Sequence, residues 1–430
     1  MMQKVTILIF STLLAICFAL PMSPLADDIV RPVEIKSKRQ VIYDQPTYAK
    51  LARLWKEYHT AYPSEYAYAN WMYAARYAGE EDYKSWLRKG LDRYPSNPTL
   101  LYLISLLQHG SSDDADERKY LEEAVRIDPQ YSDPWFSLVI VYMNNREEEL
   151  LDVALKHLLE SGAISDLVLD YNYNTLIGLE ESAILITNGD NDTYPAWVLT
   201  RFLDIRPDVT IVNRSLLNTE WYPAYLIEQG MVQFISPDNL TELRESTWKH
   251  LKESKASMPP GGLVSDTLIK LIVKSAKRAE RPVYFSSTLY ITKELEGLTV
   301  KGHQLGLATL VTPTKRDYNE QLREVLTVWV DEYRTAGIDS WRLRHASDTD
   351  ADKMLVQNYA SALLNNLYSL KSELNDLRLP LFKWYIRHLN ELVSDKLQHR
   401  IAHVWACYGA NIAEVDDWCK KQGITCPDQN

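Results

Sequence analysis

The sequence has little cysteine, and it lacks the cysteine spacing that commonly binds zinc. Only four cysteines occur among 430 residues, and no two of them form a CxxC pair. Three of them lie in the last 24 residues, namely Cys407, Cys419 and Cys426. In an oxidising compartment an odd set of three allows one C-terminal disulfide, and the sequence leaves its pairing open.

Clustered positive charge is scarce as well. The formal net charge is −11, and the one basic cluster consists of Lys36, Lys38 and Arg39. Proteins that bind nucleic acid neutralise phosphates with clustered lysine and arginine, so this balance argues against a nucleic-acid partner. The basic cluster lies in a polar stretch, residues 27–44, which we expect to be a solvated linker.

Only one long hydrophobic run occurs, at the start of the chain. Val5–Leu20 is an apolar run of 16 residues, which is short for a membrane-spanning helix of ~20 residues. We predict a signal peptide over residues 1–26, cleaved near Ala26 or Ala19. Lipid attachment at Cys17 and a buried N-terminal helix are the alternatives. The protein is therefore expected to be exported to a periplasm, with the transient leader as its only membrane contact.

Familiar catalytic motifs are absent too. The sequence has no GxSxG elbow, no P-loop, no GxGxxG and no HExxH. It therefore points to none of the reaction types that these motifs mark. The function has to be inferred from the repeats and the polar loops.

Internal repetition is the strongest positive pattern. The prolines that end predicted helices are 32 and 34 residues apart, at Pro63, Pro95 and Pro129. A W-x2-L-x3-Y signature follows, formed by Trp135, Leu138 and Tyr142. Through these features the chain resembles the tetratricopeptide-repeat family, and we assign residues 45–165 to such a helical array. The resemblance implies stacked helix pairs with a concave groove for a protein partner.

The first predicted repeat is rich in aromatic residues, namely Tyr66, Tyr68, Trp71, Tyr73 and Tyr77. On the groove these side chains would bind a partner, whereas on other faces they would fill the core between helices. The sequence leaves both roles open.

After residue 165 the pattern changes to alternating strands and helices. Three short runs are predicted to be strands, at Ala183–Thr187, Val209–Asn213 and Pro282–Ser286. Helix candidates lie between them at Tyr194–Leu203 and Thr267–Ala279, and a further strand is expected near Leu305–Val311. This alternation predicts parallel βαβ units, so residues 166–314 are assigned to a small Rossmann-like α/β domain.

Helical periodicity returns in residues 315–430, which predicts a C-terminal helical domain. Its expected packing residues are aromatic, namely Tyr333, Trp341, Tyr359, Trp384 and Trp405. The predicted fold class is therefore α plus α/β, with a tetratricopeptide helical-repeat array, a Rossmann-like parallel-sheet domain and a helical C-terminal domain.

Polar residues follow the predicted strands where each strand ends. The candidate ligand-binding residues are Asn188, Asp190, Asn191, Asp192, Thr193, Asn213, Asn218, Ser286 and Ser287. Because the carboxyl ends of parallel strands lie at one edge of a sheet, these side chains should converge there. The Asp190-x-Asp192 spacing suits a divalent cation held by oxygen ligands, or hydrogen bonds from sugar hydroxyls. Helix capping is the simpler alternative, since Asn, Asp and Thr are favoured N-caps.

Three further residues are weaker candidates. His303 is expected near the last strand and could face the same pocket, although a lone histidine more often has a structural role. Arg201 and Arg214 would either bind an anion or pair with acidic residues.

A second resemblance lies in the stretch ILITNGDNDTYPAWVLTRFLDIRPDVTIVNRSLLNTEWY. This stretch is similar to the soluble, extracytoplasmic region of a bacterial membrane family that resembles protein O-mannosyltransferases. The later RPVYFSSTL and the residues around Met354 and Tyr359 are similar to the same region. We do not find that family's membrane-spanning half here, so the resemblance implies an accessory or recognition module that binds extracytoplasmic polypeptide or glycan.

These observations favour an exported scaffold and binding protein. Its repeats would hold a protein partner, and its acidic loop would bind a glycan or a divalent cation. The alternative is a carbohydrate-active enzyme in which Asp190 and Asp192 act as acid and base or as metal ligands. Paired carboxylates do such work when their environments separate their pKa values.

Overall fold

The computed structural model describes residues 29–108, 114–254, 263–313, 315–370, 372–408, 412–421 and 423. The predicted leader, Cys17 and Cys426 lie outside these residues. The chain divides into two compact units. The first contains the chain up to Ile35 together with Asp44–Leu107, and the second contains Lys36–Tyr43 and the chain from Gln108 onward. No helix in the described ranges has the length and apolar composition needed to cross a membrane.

The helices of the first unit are α1 (Gln45–Ala61), α2 (Glu65–Ala78), α3 (Tyr83–Arg93) and α4 (Pro98–Gln108). Asp44 and Ser64 begin the first two by accepting hydrogen bonds from backbone N–H groups of their first turns. Helix α2 packs against both α1 and α3. Its contact with α3 is close, because a Cβ at Gly90 would lie 2.2 Å from the ring of Tyr68.

The second unit opens with helices α5 (Asp114–Ile127), α6 (Ser132–Asn145), α7 (Glu148–Glu160) and α8 (Asp166–Ile177). The predicted repetition of helix pairs is visible in both units. Helices α2, α4 and α6 begin 33 and 34 residues apart, and α1, α3 and α5 each end two residues before a proline. The boundary between the units falls at residue 107, inside the predicted repeat region.

The aromatic residues of the first repeat mainly fill the core. Tyr68, Trp71 and Tyr73 are buried, and Tyr66 and Tyr77 are half-buried. Their rings pack on one another and on neighbouring aromatic groups in tilted and edge-on arrangements. These residues therefore stabilise the packing of the helices against one another.

The sheet of the second unit is mixed. Its strands are β1 (Ile184–Thr187), β2 (Thr210–Asn213), β3 (Val283–Ser286), β4 (His303–Leu305) and β5 (Ala308–Leu310), in the order β2-β1-β3-β5-β4. The three predicted strands are confirmed, and β1 lies parallel to both β2 and β3. The further strand predicted near 305–311 is present as β5, but the prediction of a parallel sheet is wrong for this part of it. An antiparallel hairpin stands there, because Gly306 has a positive φ of 62° that permits a tight turn.

Helices connect the strands and cover the sheet. They are α9 (Asp190–Trp197), which continues as a π-helical turn (Val198–Phe202), a 3-10 turn (Leu216–Asn218), α10 (Tyr222–Glu228), α11 (Pro237–Ser254), α12 (Leu263–Arg278) and α13 (Lys293–Thr299). The helix candidates predicted at 194–203 and 267–279 are confirmed by α9 with its π-helical turn and by α12.

The C-terminal part is helical as predicted. It contains α14 (Tyr318–Asp331), α15 (Trp341–Arg344), α16 (Ala351–Ser369), a 3-10 segment (Ser372–Leu377), α17 (Arg378–His388), α18 (Asp395–Tyr408) and α19 (Ala413–Lys421). Four of the five predicted packing residues are buried, namely Tyr333, Tyr359, Trp384 and Trp405. Trp341 is the exception, because its side chain is 78% exposed on the short helix α15.

The two described cysteines near the C-terminus differ in oxidation state. Cys407 is disulfide-bonded, whereas Cys419 is a free thiol buried between α18 and α19. Burial raises the pKa of the Cys419 thiol, which keeps it protonated and unreactive.

Candidate functional site

The polar ends of the three parallel strands meet at one edge of the sheet, as the sequence predicts. Thr187 of β1 lies opposite Asn213 of β2, and β3 runs on the other side of β1 and ends at Ser286. The chain leaves β1 toward β2 on one side and later returns to β3 on the other. Such a reversal of strand order is where open α/β sheets place their ligand crevices.

Asp192 is a buried acidic group at this edge, with 3% of its surface exposed. Its carboxylate accepts hydrogen bonds from the backbone N–H groups of Asn188 (2.7 Å) and Gly189 (2.8 Å), and another from the Thr288 hydroxyl. Burial raises the pKa of Asp192, and these hydrogen bonds oppose the rise. The carboxylate thus closes the first turn of α9, which is the capping role.

Thr193 and Asn213 form a second buried network. The Thr193 hydroxyl lies 2.7 Å from the Thr187 hydroxyl and accepts a hydrogen bond of 2.9 Å from the Asn213 side-chain amide. The side-chain oxygen of Asn213 accepts a hydrogen bond from the backbone N–H of Leu216. These bonds join β1, β2 and α9, so both residues hold the sheet edge together.

The serines at the end of β3 are also internally bonded. The Ser286 hydroxyl lies 2.7 Å from the Thr288 hydroxyl, and Ser287 donates to the backbone oxygen of Leu307 at 2.7 Å. Tyr171 is buried beside the same carboxyl end, and burial raises the pKa of its hydroxyl, with a further contribution from the charge of Asp192. The edge is therefore a packed polar core and not an open pocket.

Three predicted residues lie at the border of this core. Asn188 and Asn191 are half-buried, and the Asn191 backbone oxygen accepts from the Asn172 side chain at 2.8 Å. Asn218 is not part of the Asp192 network. Its side-chain oxygen accepts instead from the backbone N–H of Ser265, at the start of α12.

The weaker candidates are occupied elsewhere. His303 is exposed on β4, which two strands separate from β1, and its ring packs on Tyr318. Arg201 pairs with Glu148 and Asp152 on α7. Arg214 is buried and pairs with Asp266 at 2.6 Å. In the part of the chain that the structure describes, no group of three or more His, Cys, Asp or Glu side chains could hold a metal ion.

The Asp190 carboxylate pairs with a side-chain cation, the guanidinium of Arg39. Nε of Arg39 lies 2.7 Å from the Asp190 carboxylate, and Nη1 of Arg39 lies 2.8 Å from the carboxylate of Asp133, which is fully buried. The guanidinium also stands over the ring of Phe136, 4.3 Å from its centroid. Arg39 is 19% exposed. The expectation of a solvated linker is therefore wrong for Arg39, which pairs with the buried Asp133 and with Asp190, whereas Lys36 and Lys38 are exposed as expected.

A cleft of about 280 Å³ lies beside this ion pair. Its polar groups carry both signs of charge, namely Lys36, Arg39, Arg342, Asp190, Asp350 and Asp352. The other lining residues are polar or apolar and uncharged, namely Gln40, Val41, Phe136, Gly162, Ala163, Ile164, Ser165, Val168, Asn191 and Pro195. Asp190 keeps 43% of its side chain exposed at this cleft. This is the place at the sheet edge where a small molecule could enter.

The carboxyl group of Asp352, which lines the cleft, has a raised pKa. Burial raises the pKa of its carboxyl to about 6, the hydrogen bond from Ser165 opposes the rise, and the nearby charges of Asp350 and Asp166 add to it. A raised pKa means that the folded state binds the proton more tightly than the unfolded chain does. Stability therefore falls as pH rises from about 4 to about 6, and the loss is complete above the folded pKa.

Replacing Asp352 by asparagine should remove this dependence. We expect Asp352→Asn to be more stable than the wild type by roughly 1–2 kcal/mol at pH 8, because the cost of the buried charge is absent. At pH 4 and below the two proteins should differ little. Urea unfolding at pH 4, 6 and 8 measures the difference, and a gain that is equal at all three pH values would contradict the assignment.

Sequence reasoning missed Arg39, Asp133 and Asp352. Asp133 reads as an ordinary residue of a first helical turn, and Asp352 as one acid in an acidic stretch. The single usable signal was the isolated basic cluster in a chain of net charge −11, since a lone cluster of this kind has many internal carboxylates to pair with.

Comparison with known proteins gives one partial match. No curated protein matches the chain. The family model described as TMEM260-associated domain 2 matches residues 168–236, which include most of α8, β1 with its polar loop, β2 and α10. This part of the chain is thus similar to a family linked to O-mannosyltransferase-like proteins.

Proposed function

We propose that this protein is an exported scaffold and binding protein, and that the cleft beside Asp190 binds a sugar residue. The observation that carries the proposal is the presence of both acidic and basic groups in the lining of a cleft of about 280 Å³. A sugar presents neighbouring hydroxyls that each donate and accept hydrogen bonds. Carboxylates that accept and lysine or arginine groups that donate are therefore complementary to it.

Other ligand classes suit the cleft less well. A divalent cation needs several oxygen ligands at one point, and Lys36, Arg39 and Arg342 stand among the carboxylates. A phosphate or another anion would meet Asp190, Asp350 and Asp352. A neutral polyhydroxylated ligand avoids both conflicts and needs only the small volume that is present.

Binding is favoured over catalysis by the state of the two candidate carboxylates. Asp192 already accepts three hydrogen bonds inside the sheet edge, and Asp190 is paired with Arg39. A glycosidase needs one carboxyl free to donate a proton and another free to attack or to activate water. The arrangement of Asp190 and Asp192 offers neither, which weighs against the carbohydrate-active enzyme.

The setting that we propose is extracytoplasmic glycosylation. It is supported by the match of residues 168–236 to a family linked to O-mannosyltransferase-like proteins and by the predicted leader. The helix pairs, with spacings of 33 and 34 residues, support a tetratricopeptide-type array that holds a protein partner. The βαβ arrangement of β1, β2 and β3 supports a Rossmann-like core.

The test is calorimetric titration of the purified protein with a panel of mono- and oligosaccharides that includes mannose. Arg342 lines the cleft and Arg344 does not, although both are exposed on α15. A hydrogen bond to a charged group contributes roughly 1.5–3 kcal/mol, so we expect Arg342→Ala to weaken sugar binding at least ~10-fold. Arg344→Ala should bind as the wild type does.

Two results would overturn the proposal. One is the failure of every sugar in the panel to bind the folded wild type. The other is equal weakening by Arg342→Ala and Arg344→Ala, which would place the ligand outside the cleft.

A further inference from the structure

Residues Lys36–Tyr43 begin with a turn, in which the backbone N–H groups of Gln40 and Val41 donate to the backbone oxygen of Ser37, and continue with a short stretch paired to the second unit. The backbone N–H of Ile42 donates to Thr349 at 2.8 Å, and the backbone oxygen of Gln40 accepts from Ala351 at 2.9 Å. Val41 forms an antiparallel bridge with Asp350 between these two bonds. The segment is therefore held by its backbone along residues 349–351, as an added β-strand would be.

One side chain anchors the segment. Arg39 contacts Asp133, Asp190 and the ring of Phe136, which we call the arginine seat. The Asp133 carboxylate is completely buried, so it needs a cation to offset the loss of solvation. Ser37 donates a further hydrogen bond of 2.5 Å to this carboxylate. A planar guanidinium can bind both carboxylates and stack on the ring at the same time, which an ammonium group cannot do.

Most other side chains of the segment are more exposed than that of Arg39 or are only half-buried. Lys36, Lys38 and Gln40 are exposed, and Val41 and Ile42 are half-buried. The contacts described above are made by the backbone of residues 40–42 and by the side chains of Ser37 and Arg39. Another polypeptide that offers the same contacts would fit the same place.

The segment also reaches the second unit from outside the continuous part of that unit. Residues 44–107, which belong to the first unit, separate it from the chain that builds the seat. It is in this sense a tethered ligand. Tethering gives it an effective concentration that is typically millimolar, which is high enough to keep weaker competitors out.

We propose that the arginine seat is a docking site for a basic, arginine-containing polypeptide segment of a partner protein, and that residues 36–43 are the internal ligand that occupies it. Charge complementarity carries the choice of partner, because the seat is lined by two carboxylates in a chain of net charge −11. The inference adds a polypeptide partner to the proposed sugar-binding function and names a site for it, formed by residues of α6 and α9.

The proposal is tested with a fluorescently labelled peptide that has the sequence of residues 36–43. Its binding to the full-length protein is measured by fluorescence anisotropy. Arg39→Ala removes the internal anchor, so we expect the peptide to bind this variant at least ~10-fold more tightly than the wild type. A peptide with lysine in place of its arginine should bind Arg39→Ala at least ~5-fold more weakly. Adding Asp133→Asn to Arg39→Ala should abolish binding.

Control variants separate this proposal from the sugar site and from loss of folding. Arg342→Ala changes an exposed residue of the cleft that lies outside residues 36–43 and outside the arginine seat, so it should weaken sugar binding and leave peptide affinity at the wild-type level. If Arg39→Ala does not fold, Arg39→Lys keeps a cation near Asp133 and should still admit the peptide more readily than the wild type. Circular dichroism checks folding in each case.

Two outcomes would overturn the proposal. The first is the absence of peptide binding to every folded Arg39 variant, which would make the segment an ordinary part of the fold. The second is a concentration-dependent dimer of the wild type that Arg39→Ala abolishes in light scattering, which would make a second copy of this chain the occupant. Loss of sugar binding alone would leave the peptide result unaffected.

Discussion

Replacing Arg214 by alanine should lower the free energy of unfolding by roughly 3–5 kcal/mol. Arg214 follows β2 and is 2% exposed. Its guanidinium donates to Asp266 and to the backbone oxygen of Tyr290, both at 2.6 Å. Asp266 is 3% exposed and also accepts from the Thr292 hydroxyl. Without the arginine, a buried carboxylate would have no cation, which is why the expected loss is large.

Two further variants test whether the unpaired charge of Asp266 causes the loss of stability. A double variant, Arg214→Met with Asp266→Leu, removes both charges, so we expect it to be more stable than Arg214→Ala. Arg316→Ala removes an exposed arginine that pairs with Glu324 and should cost less than about 1 kcal/mol. Urea unfolding measures the free energy of unfolding of all three variants. An Arg214→Ala protein within 1 kcal/mol of the wild type would contradict the expectation.

The second large effect is expected for Asp192. Asp192→Ala leaves the backbone N–H groups of Asn188 and Gly189 and the Thr288 hydroxyl without their acceptor. An unsatisfied buried polar group costs about 1–3 kcal/mol, so a total loss of roughly 3 kcal/mol or more is expected. The same change should disorder the first turn of α9 and with it the loop that presents Asp190 to the cleft.

Asp192→Asn and Asp190→Asn serve as the matched controls. The asparagine at 192 keeps one acceptor oxygen and should cost clearly less than alanine. Asp190→Asn alters a side chain that is 43% exposed, so its effect on unfolding should be small, while its effect on sugar binding should be large. If Asp192→Asn folds normally but loses all sugar binding, Asp192 would be a ligand-binding residue and not a capping residue.

Much of the helical and strand structure follows from local sequence. Proline cannot continue a helix and disfavours the helical conformation of the residue before it, so the helices before Pro63, Pro95 and Pro129 end where expected. The three short β-branched runs are strands for the same kind of local reason. The hairpin of β4 and β5 was not foreseen, because it depends on one positive φ at Gly306.

The candidate site shows the limit of sequence reasoning more clearly. The strand pattern correctly brought Thr187, Asn213 and Ser286 to one edge of the sheet. It could not show whether the polar groups there face a ligand or one another, since that depends on distances of a few tenths of an ångström. In the structure, Asp192 faces other protein groups, because its carboxylate accepts hydrogen bonds from backbone N–H groups.

The sequence alone determined the local elements, their order and the polar character of the loop after β1, because these follow from backbone preferences and from strand direction. Only the tertiary structure decided that Arg39 neutralises Asp133 and Asp190, and that a cleft with Asp352 stands beside them. Arg39 and Asp133 are 94 residues apart in the chain. Local patterns cannot report such a pairing, because burial of the carboxylate creates the demand for a cation.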